Sequence, residues 1–429
     1  MSNRIFVKIV AVASMLLLCV PSTYAEDDTG TYSGFSPYSM FGIGDISMRG
    51  SAYNRSMGGV GIASRNSRFI NILNPASVSA RDTLTFMADF AILGQNRYQS
   101  QTTTSGDINS AANTFNMGNL AVSFPIYKSL AMMVGVLPYS STGYGYSYYE
   151  TDPSVLSDVG NVYYTLSGQG GLYQGFASLG CTLWDRLSLG AQALYYFGNV
   201  LKESSVTFSS DSFVGVSTSD RMSVNAFSGK FGLQYDQPLS GKLTATLGAT
   251  YRLGSSLGNT LYKSGVKSAG DDINLASEWG VGLAVCYSDK LRIEADYLRA
   301  DWTGSGFESS YFCSVRNSSL PFKSCVASSV RAGVEYIPNP RDTRYYLKHV
   351  AYRAGVYYNK DYVSVGGYQL DDKGLTLGAT FPIVNGYCGL TLAVEVGQRG
   401  NMSLVKENYF NVSIGMSLYD IWFRRMQYN

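Results

Sequence analysis

From about Leu84 to Leu418 apolar residues fall on every second position in runs of eight to ten, and each run closes on Gly, Asn, Asp or Pro. In 243–253 the odd positions are Leu243, Ala245, Leu247, Ala249, Tyr251 and Leu253, and the even ones are Thr244, Thr246, Gly248, Thr250 and Arg252. Successive side chains of a strand point to opposite faces, so such a run has one apolar and one polar face. A soluble sandwich would hide the apolar face in a core. More than ten such strands behind a secretory leader, with no spanning helix, are better read as a membrane barrel with lipid outside and a polar lumen inside.

The alternation predicts strands near 83–94, 116–125, 129–138, 172–183, 186–198, 221–236 and 242–254. Seven more follow near 274–287, 290–301, 325–337, 346–363, 373–382, 387–397 and 407–419. That makes about fourteen, an even number as a closed antiparallel barrel requires. Connections alternate in length. Tyr127-Lys128, Trp184-Asp185, Leu239–Gly241, Ser288-Asp289 and Val384–Gly386 are short, whereas 139–171, 199–220, 255–273 and 302–324 are long. Tight periplasmic turns and longer outer loops set the orientation. The expected class is all-β: a transmembrane antiparallel barrel of about fourteen strands in the outer membrane of a Gram-negative bacterium.

Residues 1–25 read as a signal peptide: Arg4 and Lys8, an apolar stretch Ile9–Val20, and Thr23-Tyr24-Ala25 before Glu26. Removing it leaves 31 basic and 31 acidic residues, a neutral chain without the basic face a nucleic-acid partner would need. The 34 tyrosines suit the two interfacial girdles of a barrel. Charges on the strands keep mostly to the polar parity: Asp89, Lys230, Arg252, Glu278, Arg292, Glu294, Asp296, Arg331, Glu335, Arg353 and Glu395. On the lipid face each would cost about 2–4 kcal/mol at midplane. Inside, they either brace a luminal filling and one another or line a polar conduction path.

Catalysis has little to stand on. The only histidine, His349, sits near the periplasmic end of a predicted strand, where a wall residue is the plainer reading. No cysteine spacing matches a metal motif, and no metal or cofactor is expected. Cys313 and Cys325 share one predicted loop in an oxidising compartment, which makes a stapling disulfide between them a candidate.

Residues 26–82 do not alternate and form a Gly-rich segment ahead of the barrel at 83–429. Arg55-Ser-Met-Gly-Gly-Val-Gly-Ile-Ala63 is followed by Asn71-Ile-Leu-Asn74-Pro75-Ala76. This stretch resembles the plug of the long-chain fatty-acid transporter (FadL-like) family of outer-membrane channels, of which the chain would be a divergent member. The resemblance implies a hatch, 26–82, that shifts when a hydrophobic ligand binds and releases it sideways at the third strand. Candidate ligand or gate residues are Phe35, Phe41, Phe69, Asn74, Pro75 and Ala76 in the segment, with Pro138 and Tyr139 at the third strand. Pro138 cannot donate a ladder hydrogen bond, so a break there has a local cause. The Tyr-rich loop 139–171 could collect amphipathic molecules or bind a partner.

The expected function is passive uptake of hydrophobic small molecules, fatty-acid-like or aromatic, without chemistry. The rival is a plugged barrel serving as a structural or docking subunit of an outer-membrane assembly or secretion complex, and a general polar-solute porin is a third. Expected partners are outer-membrane lipid, a hydrophobic ligand and, on the rival reading, another outer-membrane protein.

Overall fold

The computed structural model describes residues 35–421 except 81–84, 104–105, 128, 211, 315–320, 341, 343, 385–387 and 403. The expected signal peptide lies outside the described residues. Fourteen strands form the wall. The first seven are β1 (Thr85–Thr103), β2 (Gly106–Tyr127), β3 (Leu130–Tyr149), β4 (Val162–Leu183), β5 (Leu187–Phe208), β6 (Val216–Ser240) and β7 (Leu243–Arg252). The others are β8 (Glu278–Tyr287), β9 (Leu291–Asp301), β10 (Val326–Tyr336), β11 (Ala351–Val365), β12 (Tyr368–Val384), β13 (Cys388–Arg399) and β14 (Lys406–Ile421). Each pairs antiparallel with its sequence neighbours, and β1 pairs with β14 from Thr85↔Ile421 to Ser100↔Lys406. The sheet therefore closes on itself and leaves no free edge at the seam.

The predicted parity holds on the wall. Leu375, Leu377, Phe410, Ile414 and Leu418 are exposed on the outside. Asp89, Arg252, Glu278, Glu294, Asp296, Arg331, Glu335, Arg353 and Glu395 are buried on the inside. The tight turns reverse through consecutive left-handed residues, Trp184 with Asp185 and Ser288 with Asp289.

Several boundaries differ from expectation. The stretch 139–171 is not mainly loop: β3 runs through Tyr149 and β4 resumes at Val162, with only a helix, α1 (Pro153–Val159), between. Cross-strand stacking of Tyr148 on Tyr164 and tilted packing of Tyr149 on Tyr163, both at 4.9 Å, support the extended ladder. Likewise β5 continues to Phe208 and β6 begins at Val216. At the other end Tyr346–Lys348 is a 3-10 turn, so His349 lies in a periplasmic connection before β11.

Residues 35–80 cross the lumen as 3-10 turns at Pro37–Met40 and Pro75–Ala80, a two-residue strand Asp45–Ile46, and one helical turn at Ala52–Arg55. They seat on inward glycines of the wall, among them Gly190, Gly232, Gly248, Gly333 and Gly355. A Cβ on Gly355 would lie 2.2 Å from the Gly58 nitrogen, so only glycine permits that approach. Towards the outer end, Phe41 and Ile43 join Trp302, Phe307, Phe312 and Tyr362 in a buried apolar core.

Candidate functional site

Strand β3 leaves its neighbour partway up the wall. It pairs with β2 from Tyr127↔Leu130 to Leu120↔Val136 and no further, although both strands continue outward. Above that point β2 stays on β1, and β3 stays on β4 with a register shift between Pro138 and Ser140. The N-terminal segment fills the vacated edge: Asp45 pairs with Ser141, Ile46 with Ser140, and the Ser47 amide donates to the Tyr139 carbonyl at 2.9 Å. An edge whose polar groups would face lipid or lumen unpaired is thus satisfied by a luminal strand.

Behind this gap lies a cavity of about 210 Å³. Its wall side is bounded by Asn116 and Met117 of β2, Pro138 of β3 and Tyr173 of β4, so it reaches from the lumen to the break in the barrel. Its luminal side carries Arg49, Arg97, Arg331 and Arg399 against Asp45, Glu278, Asp361, Asp372 and Glu395. The pocket between segment and wall is therefore a charged one, softened by Met48, Leu93, Met117 and Leu298. Phe41 and Ile43 of the segment are instead packed in the outer core.

The charges are paired across the boundary between segment and wall. Asp45 accepts from Arg399 at 2.7 Å and from Arg97 at 3.0 Å, and Arg97 also reaches Glu407 at 3.3 Å. Arg49 grips Glu278, which Arg252 approaches at 3.5 Å. Lower down, the Asp296 carboxylate accepts from the Gly61 and Ile62 amides at 2.7 and 3.0 Å. Buried charges persist only with such partners. Of the two readings of the inward charges, bracing accounts for these contacts.

Among the sequence candidates only Pro138 lines this cavity. Asn74 is fully buried, donates to the Ile62 carbonyl at 2.7 Å and accepts from the Ala76 amide at 3.0 Å. With Pro75 and Ala76 it wedges against Gly190 and Gly232, as an anchor. Phe69 stacks on Tyr53 at 4.6 Å beneath the Arg353 guanidinium, facing the periplasmic end. Phe41 stacks on Phe322 at 5.1 Å in the outer core, and the Phe35 carbonyl accepts from Gln99. Tyr139 accepts from Arg252 at 3.1 Å and packs edge-on against Tyr196.

Cys313 and Cys325 are free thiols, so the expected disulfide is not formed. Cys313 is buried in a turn closed by Ser310, while the Cys325 amide is tied to Tyr362, and these anchors hold the two in separate settings. Sequence reading missed Arg49, Arg97, Met117 and Tyr173. Arg97 and Met117 showed only as inward or bulge positions on the outer halves of β1 and β2, and Arg49 lies in the irregular segment, where no period marks it.

The closed fourteen-strand wall, apolar outside and charged inside, defines a transmembrane β-barrel of the outer membrane. Solved structures bear this out at the level of fold. The Pseudomonas putida toluene transporter TodX superposes with a TM-score of 0.55 at 16% identity over 90% of this chain and 100% of its own. A Pseudomonas aeruginosa FadL homologue gives 0.52 at 13% identity over 88% and 100%. The Ralstonia pickettii toluene transporter TbuX gives 0.50 at 17% identity over 87% and 98%. No curated protein matches the chain. The BamG family model matches residues 6–429, and the chain belongs to that family.

Proposed function

We propose that the protein passes hydrophobic small molecules passively across the outer membrane and releases them sideways between β2 and β3. The observation that carries this reading is the gap in the wall, covered from the lumen by Asp45–Ile46 and the Ser36 and Ser47 amides, with a cavity behind it. At about 210 Å³ the cavity exceeds the roughly 150 Å³ that holds benzene, which favours a monoaromatic over a long acyl chain. The similar solved proteins named as toluene transporters support the same ligand class. Met48, Leu93 and Met117 supply apolar contact, and release requires the luminal strand to leave β3.

Ile46→Cys with Ser140→Cys tests this, since the two are directly opposed and a disulfide can span such a pair. In a background with the other described cysteines changed to serine, oxidation should abolish uptake of labelled toluene, and reductant should restore it. Unchanged uptake in the locked protein refutes lateral release.

A docking role in an outer-membrane assembly or secretion complex has its own support. The segment is ion-paired into the lumen, and the extended β3–β6 ladder exposes Tyr148, Tyr149, Tyr163 and Val216 beyond the barrel. If serine at Tyr149 and Tyr163 removes a crosslinked high-mass complex while toluene uptake is indifferent to the lock, docking is the function.

A further inference from the structure

On the outside of the barrel, two registered rows of side chains cross six strands at one height. The lower row runs Val356 (β11), Leu375 (β12), Val396 (β13), Phe410 (β14), Asn96 (β1) and Asn113 (β2), each the Cα partner of the next. The upper row, two residues outward, runs Tyr358, Lys373, Gln398, Asn408, Tyr98 and Ala111. All of them except Tyr358 line an external groove of about 890 Å³.

On β12–β14 the chemistry changes between the rows, whereas β1 and β2 already carry Asn96 and Asn113 in the lower one. Below, Leu375, Val396 and Phe410 end the apolar band that faces acyl chains, and all three are exposed. Above, a cation and two amides appear at the same level. None of the ion pairs among the described residues engages Lys373, or Lys406 two residues beyond Asn408 on the same face. An unpaired ammonium directly above an apolar floor matches an anion carried on hydrocarbon. Amides both donate and accept, which suits sugar hydroxyls. The height matters too: β12 and β13 reach this level at their outer ends, where the outer-leaflet headgroups lie.

We propose that this face of β11–β14, β1 and β2 is a binding site for a phosphorylated glycolipid of the outer leaflet. Lys373 meets the phosphate, Gln398 and Asn408 meet the sugar, and an acyl chain lies along Val356, Leu375, Val396 and Phe410. Arg97, Tyr357 and Tyr409 line both this groove and the luminal cavity, but every lipid contact proposed here is on the outer face, so the site is tested separately from the channel reading.

The test is native mass spectrometry of the intact purified protein after exchange with defined lipids. Monophosphorylated lipid A should be retained, and the same glycolipid without its phosphate, or phosphatidylethanolamine, should be retained about tenfold less. Lys373→Glu should cost a similar factor, and the milder Lys373→Gln a smaller one, with the heat-modified gel shift of the folded barrel unchanged. Lys242→Glu in a periplasmic turn should have no effect. Equal retention of phosphatidylethanolamine, or full lipid A retention by both Lys373 variants, or an equal loss with Lys242→Glu, overturns the proposal.

Discussion

Asn74 and Gly232 stand 158 positions apart and meet as a peg and its seat. A Cβ on Gly232 would fall 2.0 Å from the Asn74 side-chain oxygen and 2.8 Å from the Pro75 ring. Neither can retreat, because Asn74 is held by the Ile62 carbonyl and Pro75 has a fixed φ. Gly232→Ala should therefore unseat the 3-10 turn at Pro75–Ala80 at a cost of about 1–3 kcal/mol. The expected readouts are earlier thermal loss of the folded gel form and flickering conductance in planar bilayers. Gly241→Ala, with nothing within 4 Å of the new carbon, should match the parent. The Asn-Pro-Ala motif stood out in the chain, but its partner did not. A glycine inside an alternating run reads as one more small residue until the segment that needs the space is placed against it.

At the scale of elements, the third strand illustrates what periodicity reaches and where it stops. Alternation located β3, and Pro138 flagged its outer half. The break itself has another cause: β3 parts from β2 after Val136, two residues before the proline, and then pairs with Asp45–Ile46. A two-residue strand inside an irregular segment has no period, so nothing in the pattern could announce it. The same limit hid the length of β3 and β4, since Gly143, Gly145 and the tyrosines between them mimic a loop while in fact forming a ladder. These facts separate two variants. Ser47→Pro deletes the 2.9 Å bond to the Tyr139 carbonyl and should loosen the luminal strand, raising toluene uptake in cells. Pro138→Val restores an amide but leaves Asp45 and Ile46 in place, so uptake should stay at the parental level. If only Pro138→Val changed uptake, the proline and not the luminal strand would be the gate.

For the whole molecule the question is which part depends on which. The wall closes through β1 and β14 over sixteen registered pairs, from Thr85↔Ile421 to Ser100↔Lys406, and no bond of that seam involves residues 35–80. Its outer face gains from lipid whether or not the lumen is filled. The luminal segment, by contrast, takes its anchors from the wall: Arg97 and Arg399 on Asp45, Glu278 on Arg49, Asp296 on Gly61 and Ile62, and the floor of inward glycines. Stability should therefore be asymmetric. Deleting residues 35–80 leaves inward charges that water can solvate, and glycines that simply widen the bore. The truncated chain should still insert and keep a heat-modifiable barrel, and it should show a large, steady ion conductance absent from the parent. Because arginines and carboxylates are mixed around the lumen, that pore should discriminate weakly between cations and anions in a salt-gradient reversal-potential measurement. A truncated protein that fails to form the barrel would mean the segment templates the wall; one that folds but stays closed would place the barrier in the outer loops around Trp302 and Phe307.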